Sequence, residues 1–406
     1  MPEDVKPRQE DGIVSIELGV SRRKLMKQLG AAGMIAGLAG CSDLRAEAEA
    51  EGDTGGDPVD DSGELPEALR IPFVPPPTED DIDFENPLDE EREMVFVSHV
   101  VDEFFTSVIA GVNDGLNQIG WTGEFLGPSS HDNEEQVEML NTTVDRLEAG
   151  ESVLATSVQD GPMYESPVMR AVDNDIPVIH FNTTVDDWDF DFMVEEFGYV
   201  QPYVGQDMVS AGMAVGLEAH ERAEEKIGDE QLVVQPTIGV PGHPALEARA
   251  EGIRAALEDQ DGIEVLETLN VSEDLSDATN RIDDAYRSNP DINVIAGTGQ
   301  WGGIAGATLV ENEGLEDEMV VGGFDLNNAT LGAIEQGYLD FSSGQDGYSQ
   351  GYIPTQLAWM YMERGIPMKN FDTGVTVVDE ENVDFAMRRD GMWDDLIDYQ
   401  DSEYDV

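Results

Sequence analysis

The chain has 406 residues, of which 87 are acidic and 21 are basic, and its formal net charge is −66. This charge argues against a nucleic acid as partner, because a polyanion needs basic contacts, and an anionic membrane surface would repel the chain. Because 40% of the residues are hydrophobic, the acidity does not indicate a disordered protein. The composition is typical of a folded protein from a very salty habitat, where salt screens the repulsion between like charges.

The first forty residues predict an export signal. A twin-arginine pattern at 21–27 precedes a small and apolar run at 29–37, which is too short and too rich in glycine for a stable transmembrane helix. The run ends on Leu-Ala-Gly-Cys at 38–41, and Cys41 is the only cysteine in the chain. This order resembles the lipobox of bacterial and archaeal lipoproteins, in which the chain is cut before the cysteine and a lipid is joined to its sulfur.

The resemblance implies that residues 1–40 are a twin-arginine lipoprotein signal. We expect the lipid on Cys41 to anchor the mature protein to the outer face of the cytoplasmic membrane, at the cell surface. The alternative to a lipidated Cys41 is a buried, unreactive cysteine, which is common for this residue type.

The acidic composition of the chain as a whole gives it a haloarchaeal, halophilic character.

Residues 41–93 predict an acidic flexible linker that holds the following part of the chain away from the membrane. Acidic residues and glycines dominate 51–57, and prolines dominate 71–77. Residues 1–40 contain six of the basic and five of the acidic residues, so the mature chain keeps 15 basic and 82 acidic residues.

From residue 94 on, short apolar runs alternate with amphipathic segments. The predicted strands are 94–97, 152–156, 178–181, 232–238, 264–269, 293–296, 319–324 and 339–343. The predicted helices are 105–119, 137–147, 168–174, 208–223, 245–258, 278–287, 304–311, 329–336 and 350–362. Strands that alternate with helices imply βαβ units and parallel sheets, and about 310 residues exceed one typical core. The pattern therefore predicts an α/β protein with two domains.

Polar residues follow several of the predicted strands, and four of the five histidines lie in such segments. These histidines are His99, His131, His180 and His243. In open parallel sheets, ligands bind in the crevice beyond the carboxyl ends of the strands, so we expect a binding site there. For any single residue, the alternative is an ordinary polar loop.

Several segments, in this order, resemble the periplasmic sugar-binding proteins of ABC importers that are related to ribose-binding protein. They are VSHVVDEFF at 97–105, IPVI at 176–179, YVGQD at 203–207, VVGGFD at 320–325, and Gln345 after FSSG at 341–344. The similarity covers roughly residues 93–390. It implies the type I periplasmic binding protein fold, in which two doubly wound parallel-sheet lobes are joined by a three-strand hinge.

The resemblance also implies how the chain is divided between the lobes. The N-terminal lobe is expected over 94–205 and 346–372, and the C-terminal lobe over 206–345 and 373–392. Residues 393–406 are expected to form an acidic tail.

The family's ligand-binding positions fall on polar and aromatic residues of this chain. The implied ligand-binding residues are Ser98, Asp102, Phe104, Phe105, Asn182, Asp325 and Gln345, with Gln300 or Trp301 at the position of a family asparagine. We add His243, which follows the strand at 232–238, and Glu247. Where ribose binders carry arginines, this chain has Thr183 and Glu247, so ribose itself is not the expected ligand.

The polar residues at the strand ends suit a neutral monosaccharide or polyol. A sugar needs hydrogen-bond partners around its rim and an aromatic surface beneath its C–H face, and Phe104, Phe105 and Trp301 are candidates for that surface. Phe105 lies on the apolar face of its helix, so its alternative role is in the core. None of the basic residues of the mature chain lies in the strand-end motifs, which disfavours a phosphorylated or carboxylated ligand.

These expectations describe a sugar receptor that makes and breaks no bond. Its partners are then a sugar or polyol and the membrane permease subunits of an ABC importer, and we expect a monomer without a cofactor. The sequence has no HExxH motif and no Cys/His cluster for zinc, so no metal site is predicted.

An exported NAD-dependent oxidoreductase is the alternative function. A GxGxxG motif at Gly297–Gly302 follows a strand and opens a helix, and Asp325 ends the next strand, as in dinucleotide-binding domains. However, the bulky Trp301 would crowd the phosphates. The GxSxG at 347–351 matches the nucleophile elbow of hydrolases, but that triad needs a histidine after the serine and none follows in the chain, so this interpretation fails. A sugar-sensing transcription regulator is disfavoured, because the chain lacks a basic headpiece.

Overall fold

A computed structural model describes residues 92–184, 202–228, 231–258, 260 and 262–404. All of them lie within one compact unit, Gly63–Val406. The predicted signal, Cys41 and all but the end of the predicted linker lie outside the described residues. Within the described ranges, no helix is both long enough and apolar enough to cross a membrane.

Strands and helices alternate along most of this unit. The strands are β1 (Glu93–Val97), β2 (Thr122–Leu126), β3 (Ser152–Thr156), β4 (Val178–Phe181), β5 (Tyr203–Gly205), β6 (Leu232–Ile238), β7 (Ile263–Val265), β8 (Leu269–Asn270), β9 (Val294–Gly297), β10 (Val320–Phe324), β11 (Phe341–Gly344), β12 (Phe371–Asp372) and β13 (Thr376–Val378). The helices are α1 (Phe105–Ile119), α2 (Asn133–Val144), α3 (Gly161–Asp173), α4 (Met208–Lys226), α5 (Pro244–Leu257), α6 (Leu275–Ser288), α7 (Gln300–Glu313), α8 (Asn328–Glu335), α9 (Gly347–Arg364), α10 (Val383–Asp390) and α11 (Trp393–Glu403).

The strands form two sheets, one in each lobe. The first sheet has the order β12-β5-β4-β3-β1-β2, and all of its pairings are parallel. The second has the order β13-β11-β10-β9-β6-β7, with β8 also paired to β6, and β13 is its antiparallel strand. The prediction of two lobes with parallel sheets is confirmed.

Helices cover both faces of each sheet, which explains the continuous apolar runs of the central strands. In β1, Met94 and Phe96 pack into one core cluster, whereas Val95 and Val97 pack into the cluster on the opposite face. All four side chains are fully buried. Successive residues of a strand point to opposite faces, so a strand that is buried on both faces must be apolar at every position.

The chain crosses between the lobes three times, as the three-strand hinge requires. The first crossing lies after β5, the second after β11, and the third between β12 and β13. Hydrogen bonds connect these three segments. Gln206 Nε2 donates to the backbone oxygen of Gly374 (2.9 Å), and Thr373 Oγ1 donates to that of Gln345 (2.9 Å). These crossings place the carboxyl ends of both sheets on the two sides of one cleft.

Two segments differ from their predicted form. The predicted strand 264–269 is two short strands, because β7 and β8 pair with different ends of β6. Residues 393–403, expected to be part of an acidic tail, form α11. Its Gln400 is fully buried against α1 and donates to the backbone oxygen of Ala110 (3.0 Å) and to Asp114 Oδ1 (2.9 Å).

Candidate ligand-binding site

The cleft between the lobes contains a cavity of about 540 Å³, part of which is open to solvent. Nine predicted site residues line the cavity: Asp102, Phe104, Phe105, Asn182, His243, Gln300, Trp301, Asp325 and Gln345. The structure thus brings together residues that are spread over more than 240 positions of the sequence.

The segment between β1 and α1 forms one wall of the cavity. Asp102 Oδ1 accepts a hydrogen bond from the Phe104 backbone (3.1 Å), which turns the chain into the helix. The Phe104 and Phe105 rings meet edge to face, with centroids 5.1 Å apart. Phe105 is only 2% exposed and packs in the core of the first lobe, which is the alternative role expected for it, and it also lines the cavity.

Asn182 contributes to this wall from the end of β4. It has a φ of 61°, a left-handed conformation that asparagine tolerates better than most residues. Its Nδ2 donates to Gln350 Oε1 (2.9 Å), and its Oδ1 accepts from Thr183 Oγ1 (2.9 Å). Thr183 also lines the cavity, although the sequence singled it out only as a departure from the family.

Asp325 is the acidic residue of the opposite wall. It follows β10 with a φ of 74°, and its Oδ1 accepts a hydrogen bond from Gln345 Nε2 (2.5 Å). Loss of hydration raises the pKa of Asp325 above its usual 3.8, although Arg249 and the hydrogen bonds from Gln345 and the Gln300 backbone oppose the rise. The pKa of Asp102 is raised as well, first by partial desolvation and then by the charge of Asp325 across the cleft.

Arg249 is a cavity residue that sequence reasoning missed. It is 3% exposed, and its guanidinium lies 4.0 Å from the centre of the Phe324 ring. It donates to the Thr298 backbone oxygen (3.0 Å) and to Gln206 Oε1 (3.1 Å). The sequence motifs at the strand ends contain no basic residue, which led to the expectation that the site has none. Arg249 instead reaches the cavity from α5. An arginine on the buried face of a predicted helix was the available signal.

Three of the four strand-end histidines lie together at the cavity. His99 and His131 come from the first lobe and His243 from the second, and their ring centroids are 5.4–6.0 Å apart. Burial and the neighbouring histidines hold the pKa of His99 well below 6.5, and burial lowers that of His243 to about 3. These two rings are therefore neutral at pH 7 and offer one donor and one acceptor each.

Two predicted residues do not reach the cavity. Ser98 is fully buried behind the wall, and its neighbour His99 takes the position at the surface of the cavity. Glu247 Oε1 accepts a hydrogen bond from the Gly242 backbone (2.7 Å) and so holds the loop before α5.

The GxGxxG motif serves packing within the protein. A Cβ atom on Gly302 would lie 1.8 Å from Thr237 Oγ1, and one on Gly299 would lie 3.0 Å from the Trp301 ring. The missing side chains therefore make room for close helix–strand contact and for Trp301.

Comparisons with known proteins agree with this fold. Residues 94–366 match the family described as periplasmic binding protein domain. The xylose/arabinose-binding protein XylF of Sulfolobus acidocaldarius is 26% identical over 302 residues, which are 72% of each chain.

Two solved structures of ABC transporter solute-binding proteins share the architecture. One, from Agrobacterium vitis with bound α-D-tagatopyranose, has a TM-score of 0.65 at 23% identity over 74% of this chain and 98% of that one. The other, from Burkholderia graminis in complex with D-arabinose, has a TM-score of 0.62 at 24% identity over 72% and 96%.

The cleft between two doubly wound lobes defines a bilobed, type I binding protein. With two thirds of its length matched, this chain belongs to the periplasmic binding protein family. It is therefore an extracytoplasmic binding protein and not an enzyme, and the oxidoreductase alternative is wrong.

Proposed function

We propose that this protein is the substrate-binding lipoprotein of an ABC importer, which captures a neutral monosaccharide or polyol and delivers it to a membrane permease. The observation that carries the proposal is the cavity between the lobes. Aromatic rings line it beside acceptors from both lobes, with Asp102 on one side and Asp325 on the other.

The chemistry of the cavity favours a neutral, hydroxyl-rich ligand. Carboxylates accept hydrogen bonds from hydroxyl groups, and the rings of Phe104 and Trp301 suit the C–H face of a sugar. Arg249 is cationic, but an anionic ligand would also meet both carboxylates. The names of the relatives, which refer to pentoses and a ketohexose, point to the same class of ligand.

Capture follows from the two-lobed architecture. A ligand that touches Asp102 and Asp325 together makes its full set of contacts only when the lobes are closed, so binding shifts the population toward the closed form. The permease subunits then distinguish the closed form from the open one by its shape.

A screen followed by calorimetry tests this proposal. Sugars and polyols are tested by thermal shift in molar salt, where a ligand at about 100 times its Kd stabilises the protein by roughly 2.7 kcal/mol. Asp325→Asn and Asp102→Asn each remove a charged acceptor, so we expect each to weaken the best ligand about 10- to 100-fold. Asp317→Asn, an exposed substitution with the same charge change, serves as the control and should bind like wild type.

Two results would contradict the proposal. One is the absence of a thermal shift with any sugar or polyol. The other is binding that neither cleft substitution affects, which would place the ligand elsewhere.

The anchor is tested separately at the native N-terminus. If Cys41 carries the lipid, mass spectrometry of the mature protein should find a lipid-modified cysteine as the first residue. Cys41→Ser should leave the protein uncleaved or released from the membrane. An unmodified N-terminus at another position would refute the lipoprotein assignment while leaving the binding function intact.

A further inference from the structure

The histidines of the cleft form a cluster with the geometry of a metal site. His99, His131 and His243 each place one ring nitrogen within 4.8 Å of those of the other two. Two of these rings are less than 10% exposed, and the His131 side chain is 17% exposed. The sequence offers no metal motif because the three residues come from separate loops, which only the fold brings together.

Each ring also has an outer polar partner on one of its nitrogens. His99 Nδ1 lies 3.0 Å from Ser157 Oγ, and His131 Nδ1 lies 3.0 Å from Glu273 Oε2. Metal-binding histidines typically bond their second ring nitrogen to a carboxylate or another polar group, which fixes the tautomer and the orientation of the ring.

His243 completes this arrangement from the second lobe. Its Nε2 lies 3.0 Å from Gln159 Nε2, which donates to it, and its Nδ1 is buried without a hydrogen-bond partner among the described residues. A half-turn of the Gln159 amide would bring its oxygen to this position, so that His243 Nε2 donates to it and the Nδ1 lone pair is free for a metal ion. A buried ring nitrogen without a partner is costly, and coordination would satisfy it.

We propose that His99, His131 and His243 bind a divalent transition-metal ion, with Zn²⁺ as the best-fitting example, and that this ion bridges the two lobes. Imidazole nitrogens suit Zn²⁺, Ni²⁺ and Cu²⁺, and three protein ligands leave a fourth position open toward the cavity. The inference goes beyond the proposed function and does not depend on it.

The distances link metal binding to the position of the lobes. In a tetrahedral site with Zn–N bonds of 2.0–2.1 Å, the ligand nitrogens lie about 3.4 Å apart. The distances between the ligand nitrogens, which are up to 4.8 Å here, must therefore shorten by at most about 1.4 Å. Since His243 alone comes from the second lobe, a small closure of the cleft would shorten its distances to the other two histidines, whereas the spacing of His99 and His131 depends on the rotation of their own side chains.

The surrounding charge also favours a cation. Glu273 contacts His131, and Asp102 and Asp325 line the same cavity, whereas Arg249 is the cation that lines it. The balance of these charges is negative.

The test uses the full mature chain in molar salt, with Co²⁺ as a spectroscopic probe and Zn²⁺ for calorimetry. We expect one tight site per chain and the visible absorption bands of tetrahedral Co²⁺. His131→Ala and His243→Ala should remove the bands and weaken Zn²⁺ by more than about 100-fold. Glu273→Gln, which alters only the outer partner of His131, should weaken Zn²⁺ by roughly 10- to 100-fold.

His220→Ala provides the matched control. His220 lies on α4 outside the cluster, with its Nε2 3.8 Å from Glu224 Oε1, and its removal should leave Co²⁺ and Zn²⁺ binding unchanged. Circular dichroism of each variant shows whether it is folded. Small-angle scattering of wild type should show a more compact protein with Zn²⁺, and His243→Ala should lose this change.

The proposal is overturned if wild type lacks a stoichiometric site, or if folded His131→Ala and His243→Ala bind Zn²⁺ as wild type does. The second result would assign the binding to surface carboxylates. Sugar titrations into metal-free protein keep the two proposals apart. Sugar binding without a metal site refutes this inference alone, and a metal site without sugar binding refutes only the proposed sugar-receptor function.

Discussion

At the scale of single residues, a chain of hydrogen bonds connects the ligand-facing side chains of the two lobes through the hinge. Asn182 donates to Gln350, Gln350 Nε2 donates to the Gln345 backbone oxygen (2.9 Å), and Gln345 donates to Asp325. Both end residues have positive φ, a conformation that is often found at binding sites. The hinge thus positions both residues.

The substitution Asp325→Asn should stabilise the ligand-free protein but weaken the binding of the sugar. Its pKa is raised in the folded protein, so its contribution to stability is present below the usual pKa of 3.8 and is lost as the pH rises through the folded value. At pH 7 the ionised carboxylate therefore destabilises the ligand-free protein. Asp325→Asn, which tolerates the same φ, should raise the melting temperature at pH 7 while weakening the sugar.

Melting curves at pH 7 and near pH 3.5, without ligand, check this prediction. The increase in melting temperature that Asp325→Asn causes should be smaller at the lower pH, where the wild-type carboxyl is protonated. Asp317→Asn removes the same charge from the surface and controls for the reduced net charge. A lower melting temperature of Asp325→Asn at pH 7 would show that Arg249 and the hydrogen bonds outweigh the loss of hydration.

The cavity residues differ in how well the sequence predicted them. Asp102, Asn182 and Asp325 follow strands that are buried on both faces, and such strands are easily recognised. His131 follows β2, an edge strand with exposed and half-buried positions, so the sequence places it at a strand end without indicating a role for it. The place of Arg249 depends on how α5 is rotated against its sheet, which one sequence does not specify.

At the scale of elements, glycines let neighbouring helices approach backbone to backbone. In the first lobe, a Cβ on Gly351 of α9 would lie 2.0 Å from the Val108 backbone oxygen of α1. In the second, a Cβ on Gly212 of α4 would lie 2.1 Å from the Arg249 backbone oxygen of α5. Each lobe therefore contains a closely packed helix pair, and the pair in the second lobe also positions Arg249.

Gly351→Ala should destabilise the protein, because the new methyl group meets backbone atoms that cannot move aside. Overpacking of this kind costs about 1–3 kcal/mol, and here the contact is with a helix backbone. Gly332→Ala on α8 is the control. Its Cβ would find only the end of a side chain at 3.8 Å, so the helix propensity of alanine should stabilise it by up to about 1 kcal/mol.

Denaturant unfolding of both variants in molar salt measures this difference. Equal stability of Gly351→Ala and wild type would mean that the α1–α9 contact relaxes easily.

The central elements were predictable and the peripheral ones were not. The predicted strands 152–156, 178–181 and 232–238 agree with β3, β4 and β6, whose apolar runs leave little ambiguity. The late elements β12, β13, α10 and α11 were missed, because they are short or mostly polar and derive their structure from contacts with the rest of the fold. Buried Gln400 illustrates this, since the amide that fixes α11 looks like any polar residue in the sequence.

At the scale of the whole molecule, the acidic excess dominates the energetics. Basic residues are so scarce that some serve two acids, as Arg222 does with Glu218 and Asp379, both at 2.7 Å. Most carboxylates have no basic residue to pair with, given 87 acidic and 21 basic residues in the chain. Their mutual repulsion opposes the compact state unless salt screens it.

We therefore predict that the fold requires salt. The screening length grows from about 3 Å at 1 M to about 30 Å at 0.01 M, so dilution lets every carboxylate act on many others. Circular dichroism during dialysis from molar KCl into dilute buffer should show loss of helix and a falling melting temperature. Salt both screens charges and favours the burial of apolar surface, whereas sucrose does only the second. Sucrose should therefore restore the fold only in part. An unchanged melting temperature in dilute buffer would contradict the prediction, and it would mean that the buried cores of the two lobes outweigh the repulsion unaided.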